Sequence, residues 1–363
     1  MKPKSLADLV VAPANLKAKL QRMMERAHPP QSLLLIGAPG MGKRTLARAW
    51  VASWLCPQRT PEGHCGDCEV CLKWSEAGEH PDLRVLTPTP DQIKIDAVRE
   101  TRQWMTYAPA VAPFRFVILE QAHRLNPAAA NALLKMLEEP PERYHFVLTA
   151  PASDLLLQTI LSRCRVVRLG HVPVEELTRY LMSQRGLSED DARAVAELAD
   201  GAVGNALRWT EPSSEPTDET ESKRSKKAEP PTNELETLRT LLSLLDELSR
   251  APLEEALRLA ERFREICKAL EGTEEERSAR SALAMGLEYL ILWYRDSLAV
   301  EGGTHLVRFQ THLEALRHLS QRFSSHDRFS DLQAITQARR AILGNANAQI
   351  VTETLFARLL SVR

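Results

Sequence analysis

Leu33-Leu34-Leu35-Ile36-Gly37-Ala38-Pro39-Gly40-Met41-Gly42-Lys43-Arg44-Thr45 decides the fold. An apolar run of strand length stops at Gly37, and helical patterning resumes from Lys43 to Trp54. Between them lies G-x-x-x-x-G-K, with Gly37, Gly40, Gly42 and Lys43 as its working residues. Glycines there let backbone N–H groups turn inward around phosphate oxygens, the lysine reaches the terminal phosphates, and the helix start adds its positive dipole end. The same residues also read as a glycine-rich strand-to-helix turn with no ligand. The pattern wants a hydroxyl directly after the lysine, to hold Mg²⁺. Arg44 stands there instead, and the hydroxyl comes one residue later, at Thr45. Nucleotide binding through Lys43 and the backbone is compatible with this; ordinary magnesium handling is not.

Outward from this loop, the runs 83–88, 114–120, 144–150 and 164–169 read as further buried strands, with helical stretches such as Pro127–Glu139 between them. Strands alternating with helices predict a parallel sheet covered on both faces. Phosphate-loop chemistry also needs an acid at a strand end for Mg²⁺. The candidate is Glu120, after Phe116-Val117-Ile118-Leu119, and its neighbour Gln121 cannot act as a base. Hydrolysis is therefore expected to be weak or absent. Glu120 and Gln121 read equally well as residues that merely cap the strand.

Cys56, Cys65, Cys68 and Cys71 form C-x8-C-x2-C-x2-C, four of the six cysteines in the chain. Four thiolates satisfy tetrahedral Zn²⁺ and leave no open position, so a structural zinc site is expected. The competing reading is a set of free thiols. His64 and His80 stand nearby and read as surface histidines, while Cys164 and Cys267 sit in apolar patterns as core thiols.

The 363 residues predict two or three domains. A net charge of -1 gives the whole chain no strong pull on nucleic acid, which disfavours a free-standing DNA-binding module. No run of about 18 apolar residues is present, so no membrane span is expected. No signal-peptide core is visible either, and a cytoplasmic protein is expected. Residues 171–210 read as a small helical unit. Residues 211–234, EPSSEPTDETESKRSKKAEPPTNE, are too polar to bury a core and are expected to be a disordered linker. Beyond it, Leu235, Leu238, Leu241, Leu242, Leu245 and Leu248 share a helical face. Further helices are expected around Ala284–Tyr294, Ser330–Leu343 and Asn347–Leu360.

A phosphate loop with a cysteine module inserted after its helix resembles the bacterial clamp-loader AAA+ proteins, the family of delta-prime and gamma/tau subunits. Three further stretches carry the likeness: His80-Pro81-Asp82, the helix Asn131-Ala132-Leu133-Leu134-Lys135-Met136-Leu137-Glu138-Glu139-Pro140-Pro141, and Leu161-Ser162-Arg163-Cys164. It covers about residues 10–210; the C-terminal helices, with Asn345-Ala346-Asn347, are similar to the family's collar more loosely. The resemblance implies an α/β P-loop, RecA-like AAA+ domain at 1–170 carrying the zinc module. A small helical lid at 171–210 and an all-α collar at 235–363 follow. It implies that Arg163 is an arginine finger, completing the ATP site of a neighbouring subunit, a role suited to a permanently charged, bidentate guanidinium. Taken alone, Arg163 reads equally as a surface arginine. Glu138 and Glu139 read as a plain helix end.

A gamma/tau motor would resemble Gly-Lys-Thr in the loop and Asp-Glu after the acidic strand, with an arginine near Gly201–Leu207. This chain has Arg44, Glu120-Gln121 and Gly204 at those places. The combination looks like the delta-prime branch. That branch implies a hetero-pentamer with gamma/tau and delta subunits within a DNA-directed DNA polymerase holoenzyme. The complex loads the sliding clamp onto primed DNA, and this chain would reach clamp and DNA only through it. ATP or ADP would bind without efficient hydrolysis. The alternative is a gamma/tau-type active clamp-loader ATPase.

Overall fold

The structure, a computed structural model, describes residues 3–6, 9, 14–89, 92–210, 234–269, 279–303, 307–344 and 346–361; of 14, 15, 234 and 279–281 it describes the backbone alone. The expected linker at 211–234, Glu234 excepted, and Asn345 lie outside the described residues. The chain forms two compact units, Met1–Pro173 with Gly201–Asn205, and Val174–Asp200 with Ala206–Arg363.

In the first unit, chain order runs α1 (Ala14–Met24), β1 (Ser32–Ile36), α2 (Lys43–Leu55), β2 (Leu83–Leu86), α3 (Ile95–Trp104) and β3 (Arg115–Leu119). It continues with α4 (Pro127–Glu138), β4 (Tyr144–Ala150), a single turn α5 (Gln158–Leu161) and β5 (Arg165–Arg168). The five strands form one parallel sheet in the order β2-β3-β4-β1-β5. Every residue of β1, β3 and β4 is buried, as both covered faces demand. Alternation along β1 sorts the core: Leu33 and Leu35 pack with Trp50 and Trp54 of α2, whereas Leu34 and Ile36 pack with Leu133 and Met136 of α4.

Registers Ile36↔Ala150 and Leu119↔Leu148 bring the C-terminal ends of β1, β4 and β3 to one edge of the sheet. Such an edge is where open α/β sheets bind ligands. Two local signals fix the adjoining helices. Gly42 starts α2 in the left-handed region, φ 75, which a side chain would resist. Asn126 caps α4 by accepting the Ala129 N–H at 2.8 Å, with Pro127 as the first helical residue.

The second unit is all-helical: α6 (Val174–Arg185), α7 (Glu189–Leu198), the latter part of α8 (Val203–Trp209), α9 (Glu234–Arg250), α10 (Ala256–Ala269), α11 (Ala279–Ala299), α12 (Leu313–Arg322), α13 (Ser325–Leu343) and α14 (Ala348–Leu360). Leu238, Leu241, Leu242, Leu245 and Leu248 of α9 are buried as the periodicity predicts. The helices expected at Ala284–Tyr294 and Ser330–Leu343 run longer, and α10 and α12 add to the expected set. Ser324 explains the earlier start of α13: its hydroxyl accepts the Asp327 N–H at 3.1 Å. Trp293, Phe263, Phe309 and Phe356 fill the core. No described helix is long and apolar enough to cross a membrane.

Candidate functional site

At the sheet edge, the phosphate loop turns from β1 into α2 through Gly40, φ 77, and Gly42. Gly37 N–H is tied to the Ala150 carbonyl of the neighbouring strand at 3.2 Å. The Lys43 ammonium donates to the loop's own carbonyls, Gly37 O at 2.5 Å and Ala38 O at 2.7 Å. Burial pushes the Lys43 amine down to about 8. Gly204 N–H donates to Gly40 O at 2.7 Å, and a Cβ on Gly40 would lie 2.4 Å from Asn205 Oδ1. The backbone of Gly204 and the side chain of Asn205 thus press on the loop at Gly40.

Glu120, two per cent exposed, emerges from the end of β3 toward α2. One carboxylate oxygen meets Arg44 Nε at 2.7 Å. The other lies 3.8 Å from Arg48, one helical turn on, and makes no hydrogen bond. The acid expected to hold magnesium is therefore taken by the residue that replaces the magnesium hydroxyl. Thr45 is exposed in the first turn of α2; at about 100° per residue it is rotated well away from the Arg44 direction. These residues do not fit a divalent cation: one of the two expected ligands is missing and the other is already paired with a cation. Gln121 follows in the left-handed region, φ 55. Its N–H donates to Thr149 Oγ at 3.0 Å, the hydroxyl at the end of β4. Sequence reasoning missed Arg48, Thr149 and Asn205. The pair Arg44 and Arg48 at i,i+4 was the available signal for the first of them.

The four cysteines come together as expected. Their sulfurs all lie within 4.8 Å of one another. Cys56–Cys65 is 3.5 Å, Cys56–Cys68 3.8 Å and Cys65–Cys71 3.9 Å. A tetrahedron of Zn–S bonds has sulfur–sulfur edges of about 3.8 Å, so the set fits Zn²⁺ and can hold a metal ion. Cys68 N–H points at Cys65 Sγ, 3.4 Å, and Cys71 N–H at Cys68 Sγ, 3.5 Å, bonds that favour thiolates. Burial pushes the Cys56 and Cys71 thiols up. His64 is half-buried.

His80 is not the surface histidine expected. It is four per cent exposed; its Nε2 lies 3.2 Å from Val70 O, and Nδ1 accepts the Asp82 N–H at 3.1 Å. Burial holds its pKa below the usual histidine value. A neutral ring protonated on Nε2 satisfies both bonds, so His80 stitches the cysteine module to the start of β2. Cys267 is a core thiol; Cys164 is half-buried, and burial raises it to about 11.

Arg163 lies between α5 and β5 with its side chain 34% exposed. Its guanidinium donates to Glu138 at 2.5 Å and to Thr159 O at 3.0 Å. Glu138, expected to be a plain helix end, fixes the direction of Arg163.

Residues 12–173 match a protein-family model described as DNA polymerase III, delta subunit. Over 193 residues the chain is 35% identical to DNA polymerase III subunit delta' of Escherichia coli (strain K12), covering 52% of this chain and 57% of that protein. It is 36% identical over 184 residues to subunit delta' of Pseudomonas aeruginosa, covering 50% and 55%. Identity to DNA polymerase III subunit tau/gamma of Haemophilus influenzae is 30% over 215 residues, 58% of this chain and 31% of that protein. The chain spans about half the length of the delta' relatives it matches. It resembles the delta-prime clamp-loader proteins, and its P-loop α/β sheet, cysteine cluster and all-helical remainder accord with that resemblance.

Proposed function

We propose that this chain is a delta-prime-like subunit of a DNA polymerase III clamp loader, one that takes part in ATP chemistry without hydrolysing ATP itself. One observation carries the reading: Arg44 is bonded to Glu120 at 2.7 Å. The acid a motor subunit would give to magnesium is neutralised from within, while Lys43 is turned onto its own loop. The altered Gln121 and the glycine at 204 agree with it.

In this reading residues 1–170 are the AAA+ domain and 171–210 its lid. Residues 235–363 are a collar that carries oligomer contacts with gamma/tau and delta subunits. Cys56, Cys65, Cys68 and Cys71 hold a structural zinc, which supplies a crosslink and no chemistry. Arg163 is offered in trans to a neighbouring subunit's ATP, where its fixed charge favours the phosphate charge that develops during transfer. Glu138 orients it. The assembled pentamer loads the sliding clamp onto primed DNA.

The retained Gly37, Gly42 and Lys43 and the match to tau/gamma favour a second reading, an active motor ATPase. One experiment separates the two. The purified chain with Mg²⁺ and ATP should show no turnover above background. Mixed with the gamma/tau and delta subunits of its host it should form one complex, whose ATPase falls in the Arg163→Ala variant by the share of the site that Arg163 completes. Turnover by the isolated chain that Lys43→Ala abolishes would establish the motor reading instead.

A further inference from the structure

The replacement of Ser or Thr by Arg44 does more than delete a ligand. Arg44 is the second residue of α2, so its side chain leaves the helix beside the loop it follows. There it meets Glu120, whose side chain is three per cent exposed and would otherwise be a buried carboxylate facing only Arg48 at 3.8 Å. A buried carboxylate without a counter-charge is strongly disfavoured. In a magnesium-using site the counter-charge is the ion. Here α2 supplies it twice, from Arg44 in contact and Arg48 one turn behind, while the Arg44 side chain stays 62% exposed on its outer side. The second Glu120 oxygen is buried and makes no hydrogen bond.

We propose that Arg44 is a tethered cation standing in for the divalent ion at Glu120, which closes this phosphate loop to Mg²⁺ and Mn²⁺ and joins β3 to α2 without any bound ligand. The device needs no nucleotide to complete the fold at the sheet edge. It also makes the loop's state independent of cellular magnesium. The proposal deepens the non-hydrolysing reading above, but it makes no use of partners or of ATP, so either can fail alone.

The test is Mn²⁺ binding to the full chain at neutral pH, followed by the loss of the free-ion electron paramagnetic resonance signal. Four proteins are compared: the unaltered chain, Arg44→Lys, Arg44→Ser, and Arg44→Ser combined with Glu120→Gln. The unaltered chain and Arg44→Lys, which keeps a cation, should show only the background of the surface acids. Arg44→Ser restores a hydroxyl beside Lys43 and should gain one site at least about tenfold tighter than that background, which the double variant loses. The thermal midpoint of Arg44→Ser should rise with Mg²⁺, and that of the unaltered chain should not. A Glu120-dependent Mn²⁺ site already present in the unaltered chain overturns the proposal. So does an Arg44→Ser protein that folds and gains no site.

Discussion

Glu197 offers a measurable pH signature of the helical unit. It is fully buried in α7, yet its carboxylate reaches residues 310 and 311. It accepts the Gln310 N–H at 3.1 Å and the Thr311 hydroxyl at 3.0 Å, with Arg193 Nε 3.7 Å away. Burial outweighs these partners and pushes it up to about 7, from an ordinary 4.5. The shift, 7 − 4.5, is about 2.5 units, and at 1.36 kcal/mol each it links folding to pH by at most about 3 kcal/mol. The sign follows from the direction. Between 4.5 and 7 the folded protein holds a proton that the unfolded chain has lost. This contribution is therefore whole below about 4.5 and is lost as pH rises through about 7, then flat above. Glu197→Gln keeps one oxygen for the backbone N–H groups of Gln310 and Thr311, and its NH₂ can donate to the Thr311 hydroxyl, which can turn to accept. Urea unfolding of both full-length proteins from pH 5 to pH 8 isolates the effect as a difference. The variant should match the unaltered protein near pH 5 and exceed it by about 1–3 kcal/mol at pH 8. A difference that stays constant across the range would refute the reasoning, because it would mean that Glu197 does not titrate on folding.

Two further outcomes probe the first unit. Asp82 is fully buried and accepts the N–H groups of Ala110, Val111 and Ala112 at 2.6–2.9 Å, and Arg115 Nε at 2.9 Å. Asp82→Asn sets an amide against those donors and strands a buried guanidinium, and should cost about 3 kcal/mol in urea unfolding; a loss below about 1 kcal/mol would contradict that account. Cys65→Ser removes one of four sulfurs, so elemental analysis should find well under one zinc per chain together with a lowered thermal midpoint. One full zinc in that variant would contradict the four-thiolate site.

Much of this was legible because its causes are local. The strands β1, β3 and β4 were visible as apolar runs because both their faces are covered, whereas β2 and β5, expected to be buried too, lie at the sheet edges and are only partly buried, with arginines at Arg84, Arg165 and Arg168. The cysteine cluster was visible because its last three ligands are only three residues apart, at 65, 68 and 71. What escaped depended on distant chain. His80 looks like a loop histidine in His-Pro-Asp, and only its position between Val70 O and Asp82 N–H makes it a buried one. Glu138 looks like a helix end until Arg163, 25 residues on, is folded against it. The early start of α13 was present locally as Ser324-x-x-Asp327 and needed only the capping pattern to be applied.

The phosphate loop shows why a motif and a function come apart. Gly37, Gly40 and Gly42 are required by the turn from β1 to α2 whether or not phosphate binds, since two of them adopt positive φ and the third packs against Leu169. Lys43 is likewise useful without a ligand, because its ammonium satisfies the Gly37 and Ala38 carbonyls. The motif's survival is thus weak evidence for nucleotide chemistry. Position 44 carries the distinction, because a hydroxyl there could ligate a cation, whereas the arginine present pairs with an acid. Glu120 is that acid, two strands away from the loop across β4. A change at one end of the contact without the other would leave a buried carboxylate unpaired or a cation facing a gap. Arg44 and Glu120 are therefore best read as a pair, joined at 2.7 Å across the sheet edge.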